Sequence, residues 1–106
     1  MKNKDFQIIY KKGKSVGDRF VVLFYRPNGL TYNRTGFLAS KKVGNSVVRH
    51  RLARLIRESY RLNTDMFNSG LNIIVIARTT AKGKNFAEIE SAFMHLCKMH
   101  KIAVHI

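Results

Sequence analysis

Acidic residues are scarce in this chain: six Asp and Glu stand against 20 Lys and Arg, a formal net charge of +14 over 106 residues. The six are scattered as Asp5, Asp18, Glu58, Asp65, Glu88 and Glu90, and no pair has the arrangement of a two-metal carboxylate cluster. Glu88 and Glu90 stand two apart on an expected helix, so they do not face each other. Cysteine is nearly absent. With Cys97 alone no intrachain disulfide can form, and nothing points to an oxidising compartment, so a cytoplasmic protein is expected. No stretch approaches the roughly 18 apolar residues of a membrane span, and MKNKDFQIIYKKGK at the N-terminus lacks the apolar run of a secretion signal. With one proline and no Gly-rich linker, internal repeat or low-complexity tract, residues 1–106 read as a single domain.

What remains is rich in apolar residues and in cations. A hydrophobic content of 45% is enough to bury a core. The self-repulsion of so much positive charge favours a polyanionic partner, nucleic acid ahead of an anionic membrane surface.

The chain reads as alternating elements. Phe6, Ile9 and Tyr10 fall at i, i+3 and i+4 of a short helix that Asn3 or Asp5 can cap and Gly13 ends. From Val16 to Arg26 the β-branched and aromatic residues predict one strand. Pro27-Asn28-Gly29 then supplies a turn, and TGFLASKK a second strand paired with the first as a hairpin. LNIIVIAR, from Leu71 to Arg78, predicts a strand covered on both faces. Phe86, Ile89, Phe93, Leu96 and Cys97 mark the apolar stripe of a last helix. The order suggests a small α/β sandwich.

Between those strands lies KKVGNSVVRHRLARLIRESYR, Lys41 to Arg61, with seven Lys or Arg and one acid. On a helical wheel Val48, Leu52, Leu55, Ile56, Ser59 and Leu62 share one side, while His50, Arg54, Arg57 and Arg61 form a narrow stripe opposite, flanked by Arg49 and Arg51. Like charges at this spacing repel, and Glu58 is the only acid in the helix to relieve them. With Asn45 or Ser46 as N-cap, Arg49, His50 and Arg51 also sit at the positive end of the helix dipole, where cations are disfavoured. A bound phosphate reverses that sign, which favours nucleic-acid contact over a solvated face.

KKVGNSVVRHRLARLIRE resembles the signature of the protein subunit of bacterial ribonuclease P, K-K-x-G-N-A-V-x-R-N-R followed by a basic amphipathic helix. DFQIIYKKGKSV is similar to that family's D-F-x-x-aromatic segment, and the strand ending IAR to its penultimate element. His50 stands in place of the family's asparagine, and Ala53 where a lysine is common. The resemblance implies an α+β fold of order αβββαβα, a small mixed sheet with a left-handed βαβ crossover through the basic helix. Physics alone favours a right-handed one. It implies that a catalytic RNA, with Mg2+ held mainly by that RNA and none by the protein alone, removes the 5′ leader of precursor tRNA. The protein would bind that RNA through Lys41, Lys42, Asn45, Arg49, His50, Arg51, Arg54, Arg57 and Arg61, with no catalytic residue of its own and no role for membrane or DNA.

Single-stranded leaders are held by stacking on aromatics beside basic groups. Phe20, Val22 and Phe24 share a face of the expected long strand, and the first helix laid across it would make an aromatic cleft edged by Lys11 and Lys12. By composition alone such rings are ordinary core; the resemblance implies that Phe6, Tyr10 and Phe24 contact the leader. Three other readings are weaker. A structural RNA-binding protein of the ribosomal type would share the charge but not the Gly44-Asn45, Arg49-x-Arg51 spacing. A DNA-binding module would want a helix-turn-helix partner or a dimer zipper, and neither is present. His95, Cys97 and His100 fit no usual zinc spacing, and acid–base use of these histidines with His50 and His105 has no support from their positions.

Overall fold

The structure, a computed structural model, describes residues 3–103. Three helices and four strands follow one another as α1 (Asn3–Lys12), β1 (Lys14–Gly17), β2 (Val21–Pro27), β3 (Arg34–Ala39), α2 (Ser46–Leu62), β4 (Leu71–Ala77) and α3 (Phe86–Met99). This is the expected αβββαβα order. His105, one of the C-terminal histidines, lies outside the described residues.

The expected long strand is broken. Asp18 turns its carboxylate back to accept from the backbone N–H groups of Phe20 and Val21 at 2.8 and 2.9 Å, closing a turn between β1 and β2. These two strands form the hairpin, with Lys14 opposite Tyr25 and Gly17 opposite Val22. Strands β2 and β3 do not pair. The sheet order is β1-β2-β4-β3, with β4 antiparallel to β2 and parallel to β3. The loop after Pro27 is tied instead to the segment entering β4. The Asn28 amide donates to Asn72 Oδ1 at 3.2 Å, and the Asn33 side chain donates to Asn68 O at 2.6 Å and accepts from Leu71 N at 2.9 Å.

Alternation divides the sheet into two faces. Val21, Leu23, Ile73, Val75 and Ala77 point to one side, where Leu52 and Ile56 of α2 and Ile89, Phe93, Leu96 and Cys97 of α3 complete the core. Strand β4 is central, and Ile73, Ile74, Val75 and Ala77 are all buried, as its unbroken apolar run predicts. Helix α1 crosses the opposite face and buries Ile9 there. Gly13 permits its close approach, since a Cβ at this position would stand 2.9 Å from Tyr25 O. Asp5 is not a cap: it lies in the first turn of α1, and its carboxylate accepts from Arg34 of β3 at 2.9 Å.

Two other expectations change. Leu62, assigned to the buried side of α2, is 56% exposed, because the helix ends there and Asn63 turns the chain away. Phe20 joins the core beside Val21 instead of sharing a face with Phe24, because the Asp18 turn resets the alternation before β2.

Cys97 is fully buried, and burial pushes its thiol up to about 12, with the Asp18 charge adding to the effect. It belongs to the core. At mildly alkaline pH the native thiol should react with a disulfide reagent such as DTNB on the order of a thousandfold more slowly than the denatured chain. Stopped-flow absorbance with and without denaturant measures the ratio, and equal rates would contradict this burial.

Candidate RNA-binding surfaces

The basic arm begins where β3 ends. Ser40 accepts from Lys42 N at 3.3 Å and starts a single 3₁₀ turn, Lys41–Val43, pinned to the core by buried Val43. Gly44 follows at φ 156°, ψ −158°, a region that side chains other than glycine's rarely adopt. Asn45 then caps α2, accepting from Val48 N at 3.1 Å. The Gly44-Asn45 pair therefore fixes where the helix starts and where each of its arginines emerges.

The arginines fall into different settings. His50, Arg54 and Arg57 are exposed on the outer side of α2. Arg51 reaches back to donate to Lys84 O at 3.1 Å. Arg49 is half-buried, and its Nε is buried without a hydrogen bond among the described residues. Arg61 pairs with Glu58 at 2.7 Å, and the Nε of Arg61 also donates to the same carboxylate. The hydrogen bonds from Arg61, with the charges of Arg61, Arg54 and Arg57, hold the Glu58 carboxyl below the usual range. Ala53, where the resemblance leads one to expect lysine, is buried under the helix.

The second surface is the sheet face beneath α1. The Tyr10 ring meets Phe24 edge-on with centroids 4.9 Å apart, and Phe6 lies 6.4 Å from Tyr10. The three aromatics anticipated from the sequence are thus assembled. Tyr10 remains 40% exposed, and its partial burial raises the phenol above its ordinary value. Helix α1 covers only part of this face. On one side of it a hollow of about 370 Å³ is lined by Phe6, Gln7, Tyr10 and Leu38. Over the uncovered ends of β2 and β4 another, of about 380 Å³, is lined by Val22, Phe24, Ile76, Ser40, Lys42 and Arg78.

The cations at this cleft differ from those expected. Lys42, grouped with the basic arm, lines the hollow beside Phe24, as does Arg78, which the sequence reading did not assign to any site. Its position directly after the apolar run of β4 was the available signal, since a cation ending a buried strand must emerge at a sheet end. Arg78 donates to Asp18 O at 2.7 Å, which holds it at that end. Lys12, expected at the cleft edge, lines a separate hollow with Tyr25, Arg26 and Pro27, because it follows Ile9 and not Tyr10 around the helix. Lys11 is exposed near the end of α1.

Five of the six acids hold the fold. Asp5 takes Arg34, Asp18 closes its turn, Glu58 takes Arg61, Glu88 completes a capping box with Asn85, and Glu90 accepts from Asn63. Among the described residues no three His, Cys, Asp or Glu are grouped to hold a metal ion. His95 and His100 are exposed while Cys97 between them is buried, which separates the would-be zinc ligands.

Fold and surfaces together define a small basic α+β protein with an arginine-bearing helix and an open aromatic sheet face. The chain belongs to the ribonuclease P protein family, whose model matches residues 1–101. It is 56% identical over 100 residues to the ribonuclease P protein component of Lachnoclostridium phytofermentans, covering 94% of this chain and 86% of that protein. With the corresponding protein of Alkaliphilus metalliredigens it shares 46% over 101 residues, covering 95% and 91%. The Staphylococcus aureus RNase P protein superposes with a TM-score of 0.88 at 38% identity, over 97% of this chain and 94% of that one. For the Thermotoga maritima protein the TM-score is 0.84 at 31% identity, over 91% of each. The family's role is tRNA 5′ maturation, and this chain is the accessory protein subunit of that endoribonuclease, working with an RNA subunit.

Proposed function

We propose that the two surfaces divide the work. Asn45, Arg49, His50, Arg51, Arg54, Arg57 and Arg61, with Lys41 at the helix approach, bind the catalytic RNA. Phe6, Tyr10 and Phe24, with Lys42 and Arg78 at the end of the cleft and Lys11 and Lys12 near the end of α1, receive the single-stranded 5′ leader of precursor tRNA. The observation that carries this reading is the Tyr10–Phe24 pair, assembled in a cleft yet left partly open to solvent. Rings meant only for packing are normally closed over, whereas rings beside cations at a groove suit stacked bases.

In this reading the magnesium ions of the reaction are held by the RNA, which agrees with five of the six acids being engaged in caps, turns, hydrogen bonds and ion pairs. The protein lowers the magnesium demand by supplying cations to a crowded RNA surface. No helix among the described residues is long and apolar enough to cross a membrane. We place the assembly in the cytoplasm on the ground of the family to which the chain belongs. Reconstitution tests the reading. The purified chain should raise cleavage of precursor tRNA by a bacterial catalytic RNA at low magnesium, and should do little at high magnesium. A chain that binds RNA without stimulating cleavage at any magnesium concentration would be a structural RNA-binding protein instead.

A further inference from the structure

A further hollow, of about 490 Å³, opens at the outer edge of β3 and is bounded by Phe6 of α1, by Gly36 and Leu38 of β3, and by Tyr60, Arg57 and Arg61 of α2. Among the described residues strand β3 is an edge strand, paired with β4 alone. Arg34, Gly36 and Leu38 alternate onto the side facing α1, and Gly36 lines the hollow there together with Phe6. Glycine inside a strand commonly marks a place where a ligand comes close to the backbone. Phe6 and Leu38 also line the cleft hollow, so the two are continuous around the sheet edge. Aromatic walls suit a stacked nucleobase, and Arg61 suits its phosphate, a role that here replaces its assignment to the catalytic RNA, while Arg57 stays with that RNA. Glu58 grips Arg61 through Nε and Nη2, which fixes the plane of that guanidinium.

We infer that this hollow is a further nucleotide seat, taking the leader nucleotide next beyond those on the Tyr10–Phe24 cleft. The inference rests on the leader reading above. Direction follows from layout. The Lys42 and Arg78 end of the cleft adjoins the start of α2, assigned to the catalytic RNA where the cleaved bond must lie, so the Phe6 end receives the distal leader.

The test is affinity of the reconstituted holoenzyme for precursor tRNAs whose leaders are shortened one nucleotide at a time. Gly36→Leu adds a side chain to the hollow's lining and leaves every arginine in the sequence. It should weaken binding of long-leader substrates about tenfold, the loss of one stacked base. Leaders short enough to end on the cleft should bind as to the unaltered protein. Equal loss on all leaders, or none on any, overturns the seat. If Tyr10→Ala preserves leader discrimination, the cleft reading itself has failed; if it abolishes discrimination while Gly36→Leu is silent, only the seat has. A second measurement needs no variant. With 4-thiouridine at successive leader positions, the distal nucleotide should crosslink to the Gly36–Leu38 or Tyr60 peptides of the unaltered chain. Distal crosslinks confined to other peptides, or crosslinking of these peptides to the catalytic RNA instead, would contradict the assignment.

Discussion

Alanine at Tyr10 or at Phe24 is expected to lower holoenzyme affinity for precursor tRNA about tenfold or more, because each stacked base contributes on the order of 1–3 kcal/mol. Mature tRNA has no leader, so its affinity should stay the same, and so should affinity of the chain for the catalytic RNA. The two positions differ in what else they do. Tyr10 is 40% exposed on α1, so its removal should leave the melting temperature close to that of the unaltered protein. Phe24 is half-buried in β2 and contacts the Tyr10 ring, so some stability is lost with it, short of the roughly 3–5 kcal/mol for a fully buried ring. Equilibrium binding of precursor and mature tRNA, with melting curves for each variant, checks the expectation. A large drop in melting temperature with discrimination intact would make these rings packing residues and place the leader elsewhere.

Replacing both Arg54 and Arg57 by alanine should weaken binding to the catalytic RNA across all substrates and reduce the slope of log K against log salt by about two. Both side chains are exposed on α2, and neither anchors the helix, so unfolding should barely change. Alanine also favours the helix slightly more than arginine does. Arg61 would be a poorer choice, because its bond to Glu58 mixes loss of a phosphate contact with release of a carboxylate. Titrations at several salt concentrations decide the matter. An unaltered slope would mean that the stripe is only a solvated face.

Local periodicity carried much of this protein. Leu52, Ile56, Ile89, Phe93 and Cys97 are buried where helical spacing put them, and the Gly44-Asn45 pair marks the start of α2 through a backbone angle and a cap that depend on neighbours only a few residues away. The central strand was legible because burial on both faces leaves an unbroken apolar run. Errors arose where one side chain overrode a pattern. Asp18 broke the expected long strand with two short hydrogen bonds, and Phe20 moved into the core as a result. The hairpin placed across Pro27-Asn28-Gly29 failed because Asn28 and Asn33, besides their other hydrogen bonds, tie the loop to residues 68 to 72, a partner no local reading contains.

By itself, then, the sequence determined the elements, the net charge, the buried stripes and the start of the basic helix, all of which depend on residues within a turn or two of one another. Tertiary structure alone decided which strand lies between β2 and β3, that Lys42 and Arg78 share a hollow with Phe24, that Lys12 turns to another surface, and that Phe6 borders both the cleft and the β3 edge. Those arrangements join residues far apart in the chain. Strand order and helix placement are set by the collective burial of Ile9, Leu23, Val75 and their neighbours, a balance summed over the whole core that no single window of sequence contains.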